Sequence, residues 1–519
     1  MKLNILFKKE TLFIILLFLF SLLINQYYGN KGIFPIDSFS HFDTGFRILL
    51  GEYPFKDYWV VSGPFVDYLQ GLFFYLFGVN WQTYVFHASF INGIITIVTF
   101  TILRNFQFNI FFSFIYSLFF SILAYPSSGT PFVDHHSSFF ALLGIYILLL
   151  AIKNGKNYYW ILLPIIFGLS FLSKQVPALY IIFFTILILI FYCLVNRKYD
   201  FIKYILLGLS IFILAVLTLG TIQGINLSTF LNQYIFYPQT IGQNRFENLD
   251  LNFNNFVSHF KFIYLSLVPL VYLNLKNLFL KKNYFKEKEF INFLILILLT
   301  FSFILHQLLT KNQTIIFFLI PILVAFSHIS LGSDKNIISV ILIVFCLLIT
   351  IKYHLRFNED RKFHELNNSN FKLSVDGNQI NQKLKGLNWI TPEFKKNPQK
   401  EINLINETKI YLKNENRFKM ILTNYSFFSV ILNESSFSTT RWHAFDGTDY
   451  PKKGNKYFEK YKSLLINSIK SNKIEVIYTI KPVKRENLYD YIDENCFNEK
   501  KLTEILTMYE LKNCKEIDY

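Results

Sequence analysis

Thr11–Ile24 reads TLFIILLFLFSLLI, and the aromatics up to Tyr27 extend it. An apolar run of this length, with no charge inside it, suits a helix crossing a hydrocarbon core of about 30 Å. Lys2, Lys8 and Lys9 precede it, as in a signal peptide. No small-x-small cleavage site follows and further apolar segments do, so it is expected to be a retained first helix. Phe86–Leu103, Tyr204–Leu219, Phe290–Leu305 and Ile337–Ile351 repeat the pattern. A chain of 519 residues that is 52% hydrophobic and only 17% charged, with 61 Phe and 32 Tyr, belongs with polytopic membrane proteins. The fold class expected is mainly α, a transmembrane helical bundle of about eleven spans by the usual 20 residues each.

The net charge of +16 raises nucleic acid as a partner. Such binding needs cations clustered on one soluble face, whereas here many sit in short loops between apolar segments, so no nucleic acid is expected. Basic loops carry Lys153 and Lys156, Arg197 to Lys203, and Lys276 to Lys288. Poorly basic ones carry residues 29–81, 125–136, 223–258 and 309–314. By the positive-inside rule, the N-terminus is then cytoplasmic. An odd number of spans puts everything after Lys352 outside. Trp160–Leu194 is interrupted by Lys174, Gln175 and Pro177. Two spans meeting at that break are expected, because one helix would hold a lysine in mid-membrane.

Residues 1–352 therefore form the membrane domain, with a long first outer loop over 28–81. Residues 353–519 change to a polar, charged composition. These roughly 165 residues suffice for one soluble α/β domain. Lys473–Ile480 reads as a strand and Tyr457–Ser471 as an amphipathic helix. Cys496 and Cys514 lie in this exported part, where an oxidising setting favours a disulfide. Cys193 and Cys346 fall in apolar segments and read as inert core thiols.

The chemistry gathers where acids follow spans. Asp37 lies just past the first, and Asp134 opens Asp134-His135-His136 after the third. Both are expected at the outer face, where a carboxylate can take a proton from an acceptor or hold a metal. Asp37 reads equally as a helix cap before Phe39, and Asp57 as an exposed loop acid. His41, four residues after Asp37, would share a helical face with it and orient it. Phe65–Phe77 suits a helix lying in the membrane interface. Lys174, Arg245 and Lys311 fall at the outer face, as phosphate contacts or as snorkelling cations. Asp134, His135 and His136 together raise a divalent metal ion as the one cofactor, although adjacent histidines diverge on regular structure. Arg441-Trp442-His443-Ala444-Phe445-Asp446-Gly447-Thr448-Asp449-Tyr450-Pro451 suits either carbohydrate stacking or a loop docking onto the membrane domain. No P-loop, dinucleotide fingerprint or nucleophile elbow is present.

Asp37 past the first span, the stretch Gly51-Glu52-Tyr53-Pro54-Phe55-Lys56-Asp57-Tyr58-Trp59, and Gly63-Pro64 resemble the C-type (GT-C fold) glycosyltransferases. The likeness is to bacterial relatives of protein O-mannosyltransferases and of the lipid A aminoarabinose transferase. It covers the first five or six spans and extends in architecture to the exported domain. The resemblance implies sugar transfer from a polyprenyl-phosphate donor to a lipid, glycan or protein acceptor. This transfer would occur on the periplasmic side of a bacterial inner membrane, with inversion at the sugar carbon. It implies Asp37 as catalytic base and Asp134 as second acid. His41, Asp57, Lys174, Arg245 and Lys311 are then substrate-binding candidates. The family usually has Asp-Glu where this chain has Asp37-Ser38, which puts a second acid there in doubt. A secondary transporter and a polysaccharide polymerase or ligase are the alternatives. The first would place charges near the midplane and break helices in pairs; the second would centre on an arginine-rich outer loop.

Overall fold

A computed structural model describes residues 2–310, 316–332, 337–444, 447–512 and 514. Among them, eight helices are long and apolar enough to cross a membrane: Lys9–Gly29, Trp81–Asn105, Val133–Asn154, Gln175–Asn196, Ile202–Ile222, Lys261–Leu280, Lys288–Thr310 and Ile337–Glu359. Three shorter apolar helices, Ile110–Ala124, Asn157–Ser173 and Ile316–Leu331, fill the remaining expected segments. The chain is a multi-pass membrane protein. The break in Trp160–Leu194 falls at Lys174, whose backbone is extended (φ −162°, ψ 138°) between two helices.

The chain divides into two compact units. The first comprises Met1–Tyr28, Phe86–Leu217 and Asn248–Phe363. Helix Val133–Asn154 is its core and packs on Asn157–Ser173. Gly144 permits that approach, since a Cβ there would lie 2.4 Å from a ring carbon of Phe167. Helix Ile202–Ile222 is almost wholly exposed, as suits a face turned to hydrocarbon. The buried Arg361 guanidinium donates to the carbonyls of Tyr28 (2.8 Å), Ser127 (3.2 Å) and Pro126 (3.3 Å). It thereby ties the end of the first span to a loop and to the segment after the last span. Burial draws its pKa down to about 9.

The second unit is discontinuous: Gly29–Val85, Thr218–Glu247 and His364–Tyr519. The compositional boundary at 352 thus understates it, because two upstream segments fold with the C-terminal part. A small pair joins β1 (Val375–Asp376) to β2 (Asn388–Trp389). Beside it run the backbones of Gly32 and Ile33, which donate to the carbonyls of Asn388 and Ile390 at 3.1 Å. The main sheet holds β3 (Lys419–Leu422), β4 (Val476–Ile480), β5 (Phe497–Lys501) and β6 (Leu506–Leu511), in the order β3-β4-β6-β5. Only the β3–β4 pair is parallel. Strand alternation sends Ile421, Val476 and Tyr478 into one core with helix Pro398–Asn414, and Met420, Leu422 and Ile477 into another with helix Phe458–Ser471. The first core also takes Phe39, Phe42, Phe74 and Trp81 from the upstream segment. Cys496 and Cys514 are disulfide-bonded across the β5–β6 hairpin.

Candidate functional site

Two polar clusters stand out, one in each unit. In the first unit, Asp134 occupies the first turn of helix Val133–Asn154 and is buried. The Lys174 ammonium donates to both its oxygens at 2.7 Å. His306, from helix Lys288–Thr310, places Nε2 3.0 Å from Oδ1. The lysine is fixed from behind, since Ser137 Oγ donates to its carbonyl at 3.0 Å, and Ser170 Oγ donates to the Ser137 carbonyl at 2.7 Å. Hydroxyls on the two packed helices thus hold the extended residue in place. A buried carboxylate flanked by an ammonium and an imidazole is a stable ion pair only while every member stays.

The metal set expected from Asp134, His135 and His136 does not assemble. His135 stacks on Tyr125 with centroids 4.6 Å apart, and its Nε2 lies 3.4 Å from Ser127 Oγ. His136 Nε2 instead meets His87 Nε2 at 3.0 Å. Successive helical positions turn about 100° apart, so three adjacent side chains reach three different neighbourhoods. Among the described residues, no group of three or more His, Cys, Asp or Glu is placed to hold a metal ion.

In the second unit, Asp37 sits on the short helix Pro35–Ser38 and is half-buried. Helix Ser40–Leu49 starts afresh after Phe39, so Asp37 and His41 do not share a helical face. His41 Nδ1 bonds Asp67 Oδ1 at 2.7 Å instead. Asp67, fully buried, also accepts from Thr44 Oγ1 and from Arg441 Nη2, each at 2.6 Å. Helix Pro64–Phe77, which carries Asp67, lies against Ser40–Leu49 across Gly45 and Gly71. A Cβ on Gly45 would come within 2.5 Å of Gln70 Cγ. Burial lowers the His41 pKa, against the opposing pull of Asp67.

Two residues after His41, Asp43 accepts the Ser429 hydroxyl and lies 3.9 Å from Arg47 Nη1. Arg47 donates to Glu52 (2.6 Å) and the Ser438 carbonyl (2.8 Å), and covers the Tyr58 ring at 4.3 Å. Burial pushes the Asp43 pKa up to about 6, despite Arg47 and Ser429. Nε and Nη1 of Arg441 are buried with no partner among the described residues. They border a hydroxyl-lined cavity of about 10 Å³, which Asp43, Ser426, Ser429, Ser438 and Thr440 share. That is room for about one water.

The remaining expected residues are dispersed. Asp57 closes a turn, taking the Tyr53 N–H at 2.7 Å. Arg245 is exposed at the end of helix Tyr237–Glu247. Lys311 lies outside the described residues. Asp67, Asp43, the role of His306 and the pairing of Arg441 with Asp67 escape the sequence patterns. The one available signal was Asp67 itself, an acid inside the apolar helix PFVDYLQGLFFYLF, where a charge demands a partner.

Residues 61–219 match the family model for dolichyl-phosphate-mannose-protein mannosyltransferases. The matched segment contains Asp67, Asp134 and Lys174 but not Asp37, His306 or Arg441. Among solved structures, ArnT from Cupriavidus metallidurans, determined bound to undecaprenyl phosphate, is similar at 9% identity, with a TM-score of 0.45. The likeness covers 96% of this chain and 97% of that one. No curated protein sequence matches.

Proposed function

We propose that this chain is a membrane glycosyltransferase of the C-type fold. It would move a sugar from a polyprenyl-phosphate-linked donor to an acceptor hydroxyl or amine on the periplasmic side of a bacterial inner membrane. The match over residues 61–219 carries the proposal, because that segment includes the Asp134–Lys174 ion pair. In this reading the bond between the anomeric carbon and the phosphate oxygen breaks as the acceptor oxygen or nitrogen attacks from the opposite side. Asp37 takes the acceptor proton. Negative charge gathers on the departing phosphate, and a cation held in place beforehand stabilises it most. Lys174 supplies that cation, with Asp134 and His306 positioning its ammonium. No step needs a metal held by Asp134, His135 and His136. The Cys496–Cys514 disulfide and the alternation of basic loops support the exported placement of residues 353–519.

The test is transfer from a polyprenyl-phosphate sugar by purified Asp37→Asn and Lys174→Met variants. Both should lose sugar transfer, Asp37→Asn with normal amounts of folded protein. Full turnover by Asp37→Asn would falsify its role as base. Substrate uptake into vesicles without any bond cleavage would make the chain a transporter.

A further inference from the structure

We infer that a cavity of about 610 Å³ in the second unit binds an oxyanion, a phosphate or carboxylate borne by a saccharide or by a lipid headgroup. The inference stands on that cavity and does not depend on the transferase reading. Asn30, Asn80, Gln82, Gln382, Lys383 and Lys385 line it. Among the described residues, no carboxylate and no aromatic ring lines the wall, so the lining offers a cation no counter-charge and a sugar face no stacking platform.

The hydrogen-bond accounting decides the sign of the ligand. Asn30 Oδ1 is occupied by Trp81 Nε1 at 3.0 Å and by Gln82 Nε2 at 3.1 Å. Asn80 Oδ1 is occupied by the Thr83 N–H at 2.9 Å, which caps the helix beginning at Trp81. The acceptors of both asparagines are therefore engaged inside the framework. Their amide nitrogens have only long contacts, 3.5 Å to Gln82 Oε1 and 3.5 Å to the Gly78 carbonyl. Lys383 donates to the Val430 carbonyl at 2.7 Å and lies 5.7 Å from the Phe46 ring centroid, with hydrogen-bonding capacity for a further acceptor. The exposed Lys385 ammonium has no partner among the described residues, while its carbonyl takes Gln82 Nε2 at 3.0 Å. Beside the Gln82 and Gln382 amides, the lining therefore offers the amide N–H groups of Asn30 and Asn80 and the charges of two lysines, a balance that matches an oxyanion. Burial draws the Lys383 pKa down, a penalty that a bound anion offsets.

The framework is built for this shape. Gly386 has φ +86°, and a Cβ there would lie 2.5 Å from Gln82 Nε2, so any side chain would displace the amide that organises Asn30 and Lys385. Asp376, which reaches the Gly386 backbone, is turned to main chain, accepting the N–H groups of Asn378 (2.7 Å) and Gly386 (3.3 Å).

The test is calorimetric titration of the full chain, in nanodiscs of phosphatidylcholine, with glucose 1-phosphate, glucuronate and glucose. Either anionic probe should bind at least about tenfold more tightly than glucose, and Lys385→Glu should lose at least about tenfold of that affinity. Lys385→Gln, which removes the charge alone, should show the same direction if the reversal disturbs folding. A second arm adds phosphatidylglycerol to the nanodisc. Weaker binding of the soluble probes there assigns the oxyanion to a lipid headgroup, and unchanged binding assigns it to a soluble saccharide. Equal binding of glucose and the anions, or wild-type affinity in both Lys385 variants, overturns the inference.

Discussion

Replacing Asp67 by Asn should open the second unit. The side chain keeps its size but loses its charge, and one of its two oxygens becomes a donor. Asp67 now accepts from His41, Thr44 and Arg441 at 2.6–2.7 Å. The amide can satisfy at most the neutral members of that set. The Arg441 guanidinium, whose Nε and Nη1 already lack partners, is left buried without a counter-charge. Removing one partner of a buried pair typically costs about 3–5 kcal/mol. A two-domain membrane protein has no single unfolding transition, so the useful observable is local. Hydrogen exchange over residues 29–85 and 418–444 should speed up by roughly two to three and a half powers of ten. Exchange over Val133–Asn154 should stay as in the wild type, because that helix lies in the other unit. Arg441→Met added to Asp67→Asn should recover part of the loss, since the orphaned charge is then gone. Unchanged exchange in the single variant, or additive damage in the double, would sink the view of Asp67 as the anchor.

Three other outcomes follow from features of each unit. Reducing the Cys496–Cys514 bridge, which closes a separation of 18 residues, should destabilise the β5–β6 hairpin by about 3 kcal/mol, measured as protease sensitivity with and without reductant. Asp43, raised in the fold to about 6, keeps a proton there that the unfolded chain has released. Its stabilising contribution is therefore present below the unfolded pKa of about 4 and disappears as pH rises through about 6. Asp43→Asn should flatten the pH dependence of exchange in the second unit across that window, and a slope equal to the wild type refutes the shift. Arg361→Met should leave the carbonyls of Tyr28, Pro126 and Ser127 without this donor and cost about 1–3 kcal/mol for each one left unsatisfied, read as faster thermal inactivation in detergent.

Much of the fold was legible because it rests on local pattern. Apolar runs long enough to span, the lysine that splits Trp160–Leu194, the Phe458–Ser471 helix and the strand ending at Ile480 need only composition and period. The Cys496–Cys514 pair was legible from its place in the polar C-terminal part, which the loop charges predict to be exported. The sites were less so. Helical spacing pairs His41 with Asp37, but the helix restarts at Ser40 and the spacing loses its meaning. Asp134, His135 and His136 looked like a ligand set because they are adjacent, and adjacency on a helix is what separates them. Asp67 finds Arg441 across 374 residues. No periodicity encodes that distance; only the cost of an acid in an apolar helix hints that a partner exists.

That separation has a consequence for biogenesis. The ribosome makes the carboxylate early, and its guanidinium arrives only after the last apolar helix has been synthesised. Until then the segment from Gly29 to Val85 carries an unmatched acid and a half-built aromatic core, a state that chaperones must tolerate or proteases will find. A premature stop between the final helix and Arg441 therefore removes more than a tail. It strands Gly29–Val85 and Thr218–Glu247, both made well before it.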